Sequence, residues 1–346
     1  MFSKLAGNLN VKQTLGRLLD NDRLPNSLLF AGPDGIGKRQ FALETARAVL
    51  CIDKTAGEAC GVCAVCRRID KFTFPKADAK GEDYDVVFFS EHPDVGTVIP
   101  FNRTLRVGSI RALEVEANFR PFEAKSRFFI VNDADKMNDA AANALLKTLE
   151  EPPLTSHIFL ITSRPDSLLA TIRSRCQTLR FGPVSAGEIE EYLINDRALA
   201  HHEAALAARL SRGSIARAVS LNVEKFKQQR GRMFDVVRHA IATGDRAAML
   251  RISEEMNDAK NKDNFGENLE ILESLIHDVW SVAVSGDRSR VVNTDLADEI
   301  EGLAQEAHAA RLPQWLKLIR EMRLNFIVNI NRKAASDSLF LAMAGA

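Results

Sequence analysis

The sequence of 346 residues has no net charge and no long hydrophobic run. Its 46 basic and 46 acidic residues cancel, so any contact with nucleic acid must come from a local basic surface. No apolar run reaches about 18 residues, and we therefore expect no membrane span. The N-terminus has no apolar segment followed by small residues, which argues against a secretory signal peptide and predicts a cytoplasmic protein.

Repeats and low-complexity segments are also absent from the sequence. Hydrophobic residues make up 46% of the chain and charged residues 27%, as in an ordinary globular protein. The length is sufficient for two or three domains, each with its own core.

Cysteine is scarce, but it is clustered. Of the five cysteines, four are Cys51, Cys60, Cys63 and Cys66, in the pattern C-x8-C-x2-C-x2-C. Two overlapping CxxC steps bring three thiolates together from one tight loop, and four thiolates suit tetrahedral Zn²⁺. An iron–sulfur cluster is the alternative, and a reducing compartment disfavours disulfides. We interpret the site as structural, and the separate Cys176 as a buried thiol.

Strand-like and helical patterns alternate over the first 180 residues. Short apolar runs predict strands at residues 27–32, 85–89, 127–133, 157–162 and 177–181. Helices are expected at 38–50, 107–118 and 138–150, with a short turn near 168–172. Continuous apolar runs are typical of parallel strands buried on both faces. The pattern predicts an α/β domain whose ligands bind at the carboxyl ends of the strands.

The rest of the chain reads as helical. Three or four short helices are expected over residues 185–221, and nearly everything from residue 223 onward has helical periodicity. Broad apolar stripes there, as in NLEILESLIHDVWSVAV, indicate a helical bundle or a subunit-packing element.

The stretch GPDGIGKRQ, residues 32–40, has most of the features of a phosphate-binding loop. Gly32, Gly35 and Gly37 supply the spacing that lets backbone N–H groups surround a phosphate, and Lys38 supplies the charge. Arg39 stands where a Mg²⁺-binding serine or threonine is required. The alternative is a glycine-rich turn without a ligand, but the strand–loop–helix context favours a nucleotide cradle.

The stretch FFIVNDADKM should contain the acidic residues of a nucleotide hydrolase. Asp133 follows the apolar strand, but Ala134 occupies the position of the glutamate that activates water, and alanine cannot accept a proton. Asp135 is expected to point to the opposite side of the strand. With Arg39, this makes two missing chemical groups, and we predict that hydrolysis is lost.

Several motifs together resemble those of the bacterial clamp-loader AAA+ subunits of DNA polymerase III. They are NALLKTLEEPP (143–153), TIRSRCQTLRF (171–181), the four-cysteine insert after the loop helix, and LNFIVNINRKAASDSLFLAM (324–343). The resemblance implies an AAA+ domain at 1–182 with a zinc insert at about 51–66, a small helical lid at 183–222, and an all-α collar domain at 223–346.

The sequence departs from the catalytic gamma/tau members of this family. Those members carry GK[ST], an Asp-Glu pair, and an arginine in the lid motif where this chain has Ala216, with Arg217 one step later. The chain also has no long extension of the tau kind. These departures favour a non-hydrolysing branch of the family; the alternative is a catalytic gamma-like ATPase with degenerate motifs. A zinc-ribbon nucleic-acid-binding module on a vestigial nucleotide fold is a third hypothesis, against which the neutral composition argues.

The resemblance also implies roles for individual residues. Arg175, with Ser174, would form an arginine finger that acts in trans on ATP bound by a neighbouring subunit; the alternative is a surface arginine at a strand start. Thr162 takes the sensor position, and Lys147 either faces DNA phosphate or is solvated. The implied partners are gamma/tau and delta, with the sliding clamp and primed DNA reached through the complex. The implied cofactors are a structural Zn²⁺ and possible ATP or ADP in the degenerate loop.

Overall fold

The computed structural model describes residues 2–54, 58–76, 80–258, 264–325 and 331–345. The chain forms two compact units, Met1–Ser220 and Leu221–Ala346. The predicted domain boundaries at residues 182 and 222 stay predictions.

The first unit is a mixed α/β structure. Its strands are β1 (Ser27–Ala31), β2 (Phe88–Phe89), β3 (Val95–Val98), β4 (Arg127–Val131), β5 (Ser156–Thr162) and β6 (Gln177–Arg180). Its helices are α1 (Leu9–Asp20), α2 (Lys38–Leu50), α3 (Ala64–Arg68), α4 (Val107–Ala117), α5 (Asp139–Glu150), α6 (Ala170–Arg175), α7 (Ala186–Arg197), α8 (His201–Leu210) and α9 (Ile215–Ser220).

The strands of the described residues form one sheet in the order β2-β3-β4-β5-β1-β6. Every pair is parallel except β2 with β3. All residues of β1, β4 and β5 are buried, as expected for central strands covered by helices on both faces. The α/β class with a parallel sheet, expected of an AAA+ domain, is confirmed.

One predicted strand was wrong in type and extent. The expected parallel strand at 85–89 is only β2, two residues long, and it runs antiparallel to β3. Strand β3 was not predicted from the sequence. A Cβ at Gly96 would lie 2.5 Å from a methyl group of Val87, so glycine allows β2 and β3 to approach closely. Strands β1, β4 and β6 end one or two residues before their predicted ends at residues 32, 133 and 181.

The helices between the strands largely follow their sequence signals. Asn138 caps α5 by accepting a hydrogen bond from the N–H of Ala141 at 2.9 Å. The predicted turn near 168–172 is instead the short helix α6. In the described part of the first unit, three helices, α7 to α9, follow β6. Ser185 and Glu188 form a capping box at the start of α7.

The second unit is helical throughout its described residues. Its helices are α10 (Val223–Arg238), α11 (Arg246–Asn257), α12 (Phe265–Ser285), α13 (Ala297–Glu306), α14 (Leu312–Asn325) and α15 (Arg332–Gly345), with a π-helical turn at His239–Thr243. The predicted all-α domain is confirmed. Residues 326–330 of the C-terminal motif lie outside the described residues. Among the helices that the structure describes, none combines the length and apolar character needed to span a membrane.

Candidate phosphate loop, metal centre and arginine finger

The predicted phosphate loop joins the carboxyl end of β1 to the N-terminus of α2. Gly35 and Gly37 have φ values of +73° and +96°, which glycine tolerates best. Close packing adds a second requirement at Gly35: an added Cβ would lie 2.1 Å from Oγ of Ser214. The Gly35 carbonyl accepts a hydrogen bond from the N–H of Ala216 at 2.9 Å. The start of α9 therefore packs directly onto the loop.

Lys38 is bonded to its own loop. Its Nζ donates to the carbonyl oxygens of Gly32 and Pro33, each at 2.5 Å, and lies 4.0 Å from a carboxylate oxygen of Asp34. Burial lowers the pKa of Lys38, while nearby carboxylates, first that of Asp34, partly offset the effect. The ammonium group stabilises the loop itself and would have to exchange these carbonyls for a phosphate.

Arg39 contacts aromatic residues from the segment that follows the cysteine cluster. Its guanidinium lies 5.2 Å from the ring centre of Phe72 and 5.7 Å from that of Phe74, within cation–π range. These two rings also stack on each other. Arg39, which replaces the Mg²⁺-binding hydroxyl, thus connects the start of α2 to the segment that follows the cysteine cluster.

The acidic residues after β4 are held by internal partners. Asp133 adopts a left-handed conformation and accepts from Nζ of Lys136 at 2.8 Å. Ala134 is fully buried in the core, so its methyl group packs where the catalytic glutamate of a hydrolase would be. Strand alternation, on which the expected opposite orientation of Asp135 relied, does not reach these residues, because the strand ends at Val131. Asp133 and Asp135 both belong to the lining of one depression beside the loop.

Thr162 lies at the end of β5, as predicted, and its hydroxyl is used internally. Its Oγ donates to Oδ1 of Asp135 at 2.8 Å and accepts from the N–H of Arg164 at 3.0 Å. Burial would raise the pKa of Asp135, but the hydrogen bonds from Thr162 and Arg164 outweigh it and lower that pKa below its usual value. Thr162 therefore fixes the strand end through a stable carboxylate.

A cavity of about 490 Å³ lies beside the loop, within the size range of small-ligand sites. The residues that line it come from the loop, the end of β4 and helices α7 and α9; among them are Gly35, Gly37, Lys38, Arg39, Asp133, Tyr192, Arg197 and Ala216. Ala216, where the resemblance leads one to expect a lid arginine in catalytic members, instead places a methyl group against the loop.

The four clustered cysteines converge as predicted. Their sulfur atoms all lie within 4.8 Å of one another, with Cys51 Sγ 3.6 Å from Cys60 Sγ and 3.9 Å from Cys63 Sγ. Four thiolates at about 2.3 Å from a tetrahedral Zn²⁺ would be separated by about 3.8 Å. A disulfide needs about 2.05 Å. The arrangement therefore fits one tetrahedral ion.

Local structure favours the thiolate at Cys63, whereas burial raises the pKa values of Cys51 and Cys66. Cys51 is the C-cap residue of α2, and Cys63 caps α3, where its sulfur accepts from the N–H of Cys66. Burial would raise the pKa of Cys63, but backbone N–H groups of Cys66 and Ile52 outweigh it and lower that pKa to about 6. By contrast, burial raises the pKa of the isolated Cys176 to about 12, as expected for an inert thiol.

Arg47 connects the cysteine module to α2. Its Nε donates to the carbonyl oxygen of Cys66 at 3.1 Å, and its guanidinium pairs with Glu44 and, at 2.9 Å, with Asp70. Arg39 contacts the same segment about 12 Å away along the helix, given a rise of 1.5 Å per residue. The segment after the cysteines therefore runs back along α2 towards the phosphate loop.

Arg175 is the last residue of α6 and is 33% exposed. Its Nη1 donates to the carbonyl oxygen of Thr171 at 2.9 Å, and its Nη2 donates to Oε1 of Glu150 at 2.7 Å. The neighbouring Ser174 donates to the same carbonyl, and Arg173 pairs with Asp166. Arg175 thus ends a helix instead of starting a strand.

The strand register places Arg175 at a different level of the sheet from the phosphate loop of its own chain. In the parallel pair β1 and β6, Leu28 is opposite Gln177 and Ala31 is opposite Arg180. The loop begins just after Ala31, whereas Arg175 comes before Gln177. About 10 Å of strand separates these levels at 3.3 Å per residue. Arg175 and the phosphate loop therefore lie at different levels of the β1–β6 pair, although Gly32 and Ser174 border a common depression.

Sequence reasoning missed the side chains that support these sites. Glu150 stands in the quoted motif, but its partner is 25 residues away and no spacing rule links them. The contacts of Arg39 and Arg47 depend on the path of the insert. The side chain of Lys147 is 81% exposed, and its Nζ lies 3.5 Å from a carboxylate oxygen of Glu114.

Comparison with known proteins agrees with this geometry. A family model described as DNA polymerase III, delta subunit, matches residues 7–185, just over half of the chain. A second, described as DNA polymerase III, delta subunit, C terminal, matches residues 224–335. The chain belongs to the DNA polymerase III delta subunit family.

Two delta' subunits match over nearly the whole chain. The delta' subunit of Bacillus subtilis is 28% identical over 334 residues, covering 96% of this chain and 95% of that protein. The delta' subunit of Escherichia coli is 28% identical over 320 residues, covering 91% and 88%. The tau subunit of Escherichia coli is 27% identical over 267 residues, but the match covers only 39% of tau. The predicted resemblance to clamp-loader subunits related to gamma/tau is confirmed, and the delta' subunits match most completely of these three.

Proposed function

We propose that this chain acts as a non-hydrolysing, delta'-type subunit of a DNA polymerase III clamp loader and donates Arg175 in trans to ATP bound by a neighbouring subunit. The observation that carries the proposal is the position of Arg175 before the start of β6, about 10 Å of strand from the level at which its own phosphate loop follows β1. Its side chain is partly exposed, and Arg175 is not among the residues that line the cavity beside its own loop.

The chemistry of a guanidinium suits this role. In phosphoryl transfer, charge builds up on the oxygens of the transferred group, and a planar fork of N–H donors stabilises it. An arginine supplied in trans contributes about 10³ to 10⁵ in rate, or about 4–7 kcal/mol. The chain would contribute this catalysis without an active site of its own.

Three features support the absence of intrinsic hydrolysis. Arg39 is committed to two aromatic rings, Ala134 is a buried methyl group, and Lys38 is bonded to loop carbonyls. The first two remove the Mg²⁺ ligand and the group that activates water, and the third means that the ammonium must exchange its loop carbonyls before it can bind a phosphate. A catalytic gamma-like ATPase is therefore the weaker hypothesis. The cavity still has room for ATP or ADP, held without a metal ligand at position 39.

The proposed partners are gamma/tau and delta subunits, with the sliding clamp and primed DNA reached through the assembled complex. Full-length similarity to delta' subunits supports this assignment. The four cysteines would hold a structural Zn²⁺, because their sulfur spacing fits a tetrahedral ion and all four positions are supplied by the chain.

The test is a reconstituted complex with gamma/tau and delta subunits, measured for DNA- and clamp-stimulated ATPase. Arg175→Ala should reduce the rate to that of the sites that do not receive this arginine. Arg173→Ala is the matched control, because Arg173 lies on the same helix and pairs with Asp166; it should stay near the wild-type rate. The isolated chain should show no ATPase. An Arg175→Ala complex as active as wild type would refute the trans role.

A further inference from the structure

Among the residues that the structure describes, Glu150 is the one whose side chain accepts a hydrogen bond from the guanidinium of Arg175. It ends α5, whereas Arg175 ends α6, so the contact joins the ends of two neighbouring helices. The second bond of the guanidinium, to the Thr171 carbonyl, lies within α6. The two acceptors hold both terminal nitrogens of Arg175.

These contacts leave the guanidinium able to bind a ligand. Arginine has five N–H donors, and the two acceptors use one on each terminal nitrogen. Three donors remain on a side chain that is 33% exposed. An incoming phosphate therefore does not have to displace Glu150.

We propose that Glu150 is a positioning residue that fixes the orientation of Arg175 before the neighbouring ATP site is formed. The inference rests on the trans role proposed above. A long arginine side chain loses much rotamer freedom when it is fixed, and fixing it beforehand lowers the entropic cost of reaching the transition state. Glu150 contacts no phosphate and acts only through Arg175.

The opposite role would be a mask, in which Glu150 competes with the phosphate for Arg175. The two roles predict changes of opposite sign. Removal of a positioning carboxylate lowers the rate at the completed site, whereas removal of a mask raises it. The free donors on Arg175 favour positioning.

The experiment uses the reconstituted clamp loader and the part of its ATPase that Arg175→Ala abolishes. Glu150→Ala should lower kcat of this part by roughly tenfold and leave KM for ATP unchanged, because a mispositioned group loses transition-state contacts. Glu150→Gln should retain most of the rate, since the amide oxygen still accepts from Nη2. Glu151→Ala, which removes an exposed carboxylate one residue further on, should have no effect.

A double mutant separates positioning from a general effect on the structure. In the Arg175→Ala background, Glu150→Ala should cause no further loss. A rise in rate with Glu150→Ala, an equal loss without Arg175, or the same loss with Glu151→Ala would overturn the inference. If Arg175→Ala lowers the ATPase but Glu150→Ala does not, only this inference fails. If Arg175→Ala has no effect, the proposed function fails and this inference with it.

Discussion

Replacing Arg39 with threonine would restore the GK[ST] pattern, yet we predict a less stable protein that still lacks ATPase activity. The guanidinium lies over Phe72 and Phe74. Cation–π contacts contribute about 0.5–1 kcal/mol at exposed sites and about 2 kcal/mol when desolvated. Phe72 is partly buried and Phe74 is 39% exposed, so about 1 kcal/mol each is reasonable. The loss of about 2 kcal/mol corresponds to a decrease in Tm of about 4–8 °C for a unit of this size.

The two units can be followed separately. Both tryptophans of the chain, Trp280 and Trp315, belong to the second unit, so their fluorescence does not report on the first. Hydrogen exchange of the amides in β1 and α2 measures the opening free energy of the first unit. Arg39→Thr should accelerate that exchange and leave the tryptophan transition unchanged.

A double-mutant cycle isolates the contact. The cost of Arg39→Thr should fall by at least half when Phe72 and Phe74 are both leucine. An Arg39→Thr protein as stable as wild type, or an equal loss in the leucine background, would refute the reasoning. Detectable ATPase in isolated Arg39→Thr protein would show that Ala134 is not a barrier to hydrolysis.

Three further predictions test the supports of the site. Metal analysis should find about one zinc per chain, absent in Cys60→Ser and retained in Cys176→Ser; zinc in neither wild type nor control would contradict the four-thiolate site. Asp135→Asn should destabilise the first unit at pH 7. Because the folded pKa of Asp135 is depressed, its contribution is present above about pH 4 and is lost as pH falls through that pKa, so a difference in stability that does not shrink on acidification would contradict the assignment. Gly35→Ala should cost more than about 1 kcal/mol, whereas Gly187→Ala, where a Cβ meets nothing within 4 Å, should not destabilise; equal effects would contradict the close packing.

The central sheet was largely predictable because its strands are continuous apolar runs. For β1, β4 and β5, burial on both faces selects mainly hydrophobic residues, and these apolar runs are visible in the sequence. The strand β3 was not predictable, because four residues that include Gly96 leave a weak pattern. Pairing with β4 determines that strand, and local propensity does not.

The candidate sites were predictable in residue type but not in their contacts. The thiolates lie close in sequence, so their convergence followed from spacing alone. The aromatic partners of Arg39 lie 33 or more residues away in the sequence, and the carboxylate partner of Arg175 lies 25 residues away. Only tertiary packing brings these partners together. The orientation of Asp135 does not follow from strand alternation, because the strand ends at Val131 and Asp133 has a left-handed backbone conformation.

The count of ATP molecules hydrolysed per complex in a single turnover tests the central claim most directly. Rapid-quench measurement of the reconstituted clamp loader with primed DNA and the sliding clamp gives this number. We predict that Arg175→Ala removes the hydrolysis of one ATP per complex, because it disables the one neighbouring site that this chain completes, while Lys38→Ala leaves the number unchanged. An unchanged number with Arg175→Ala, or a loss with Lys38→Ala, would contradict the account.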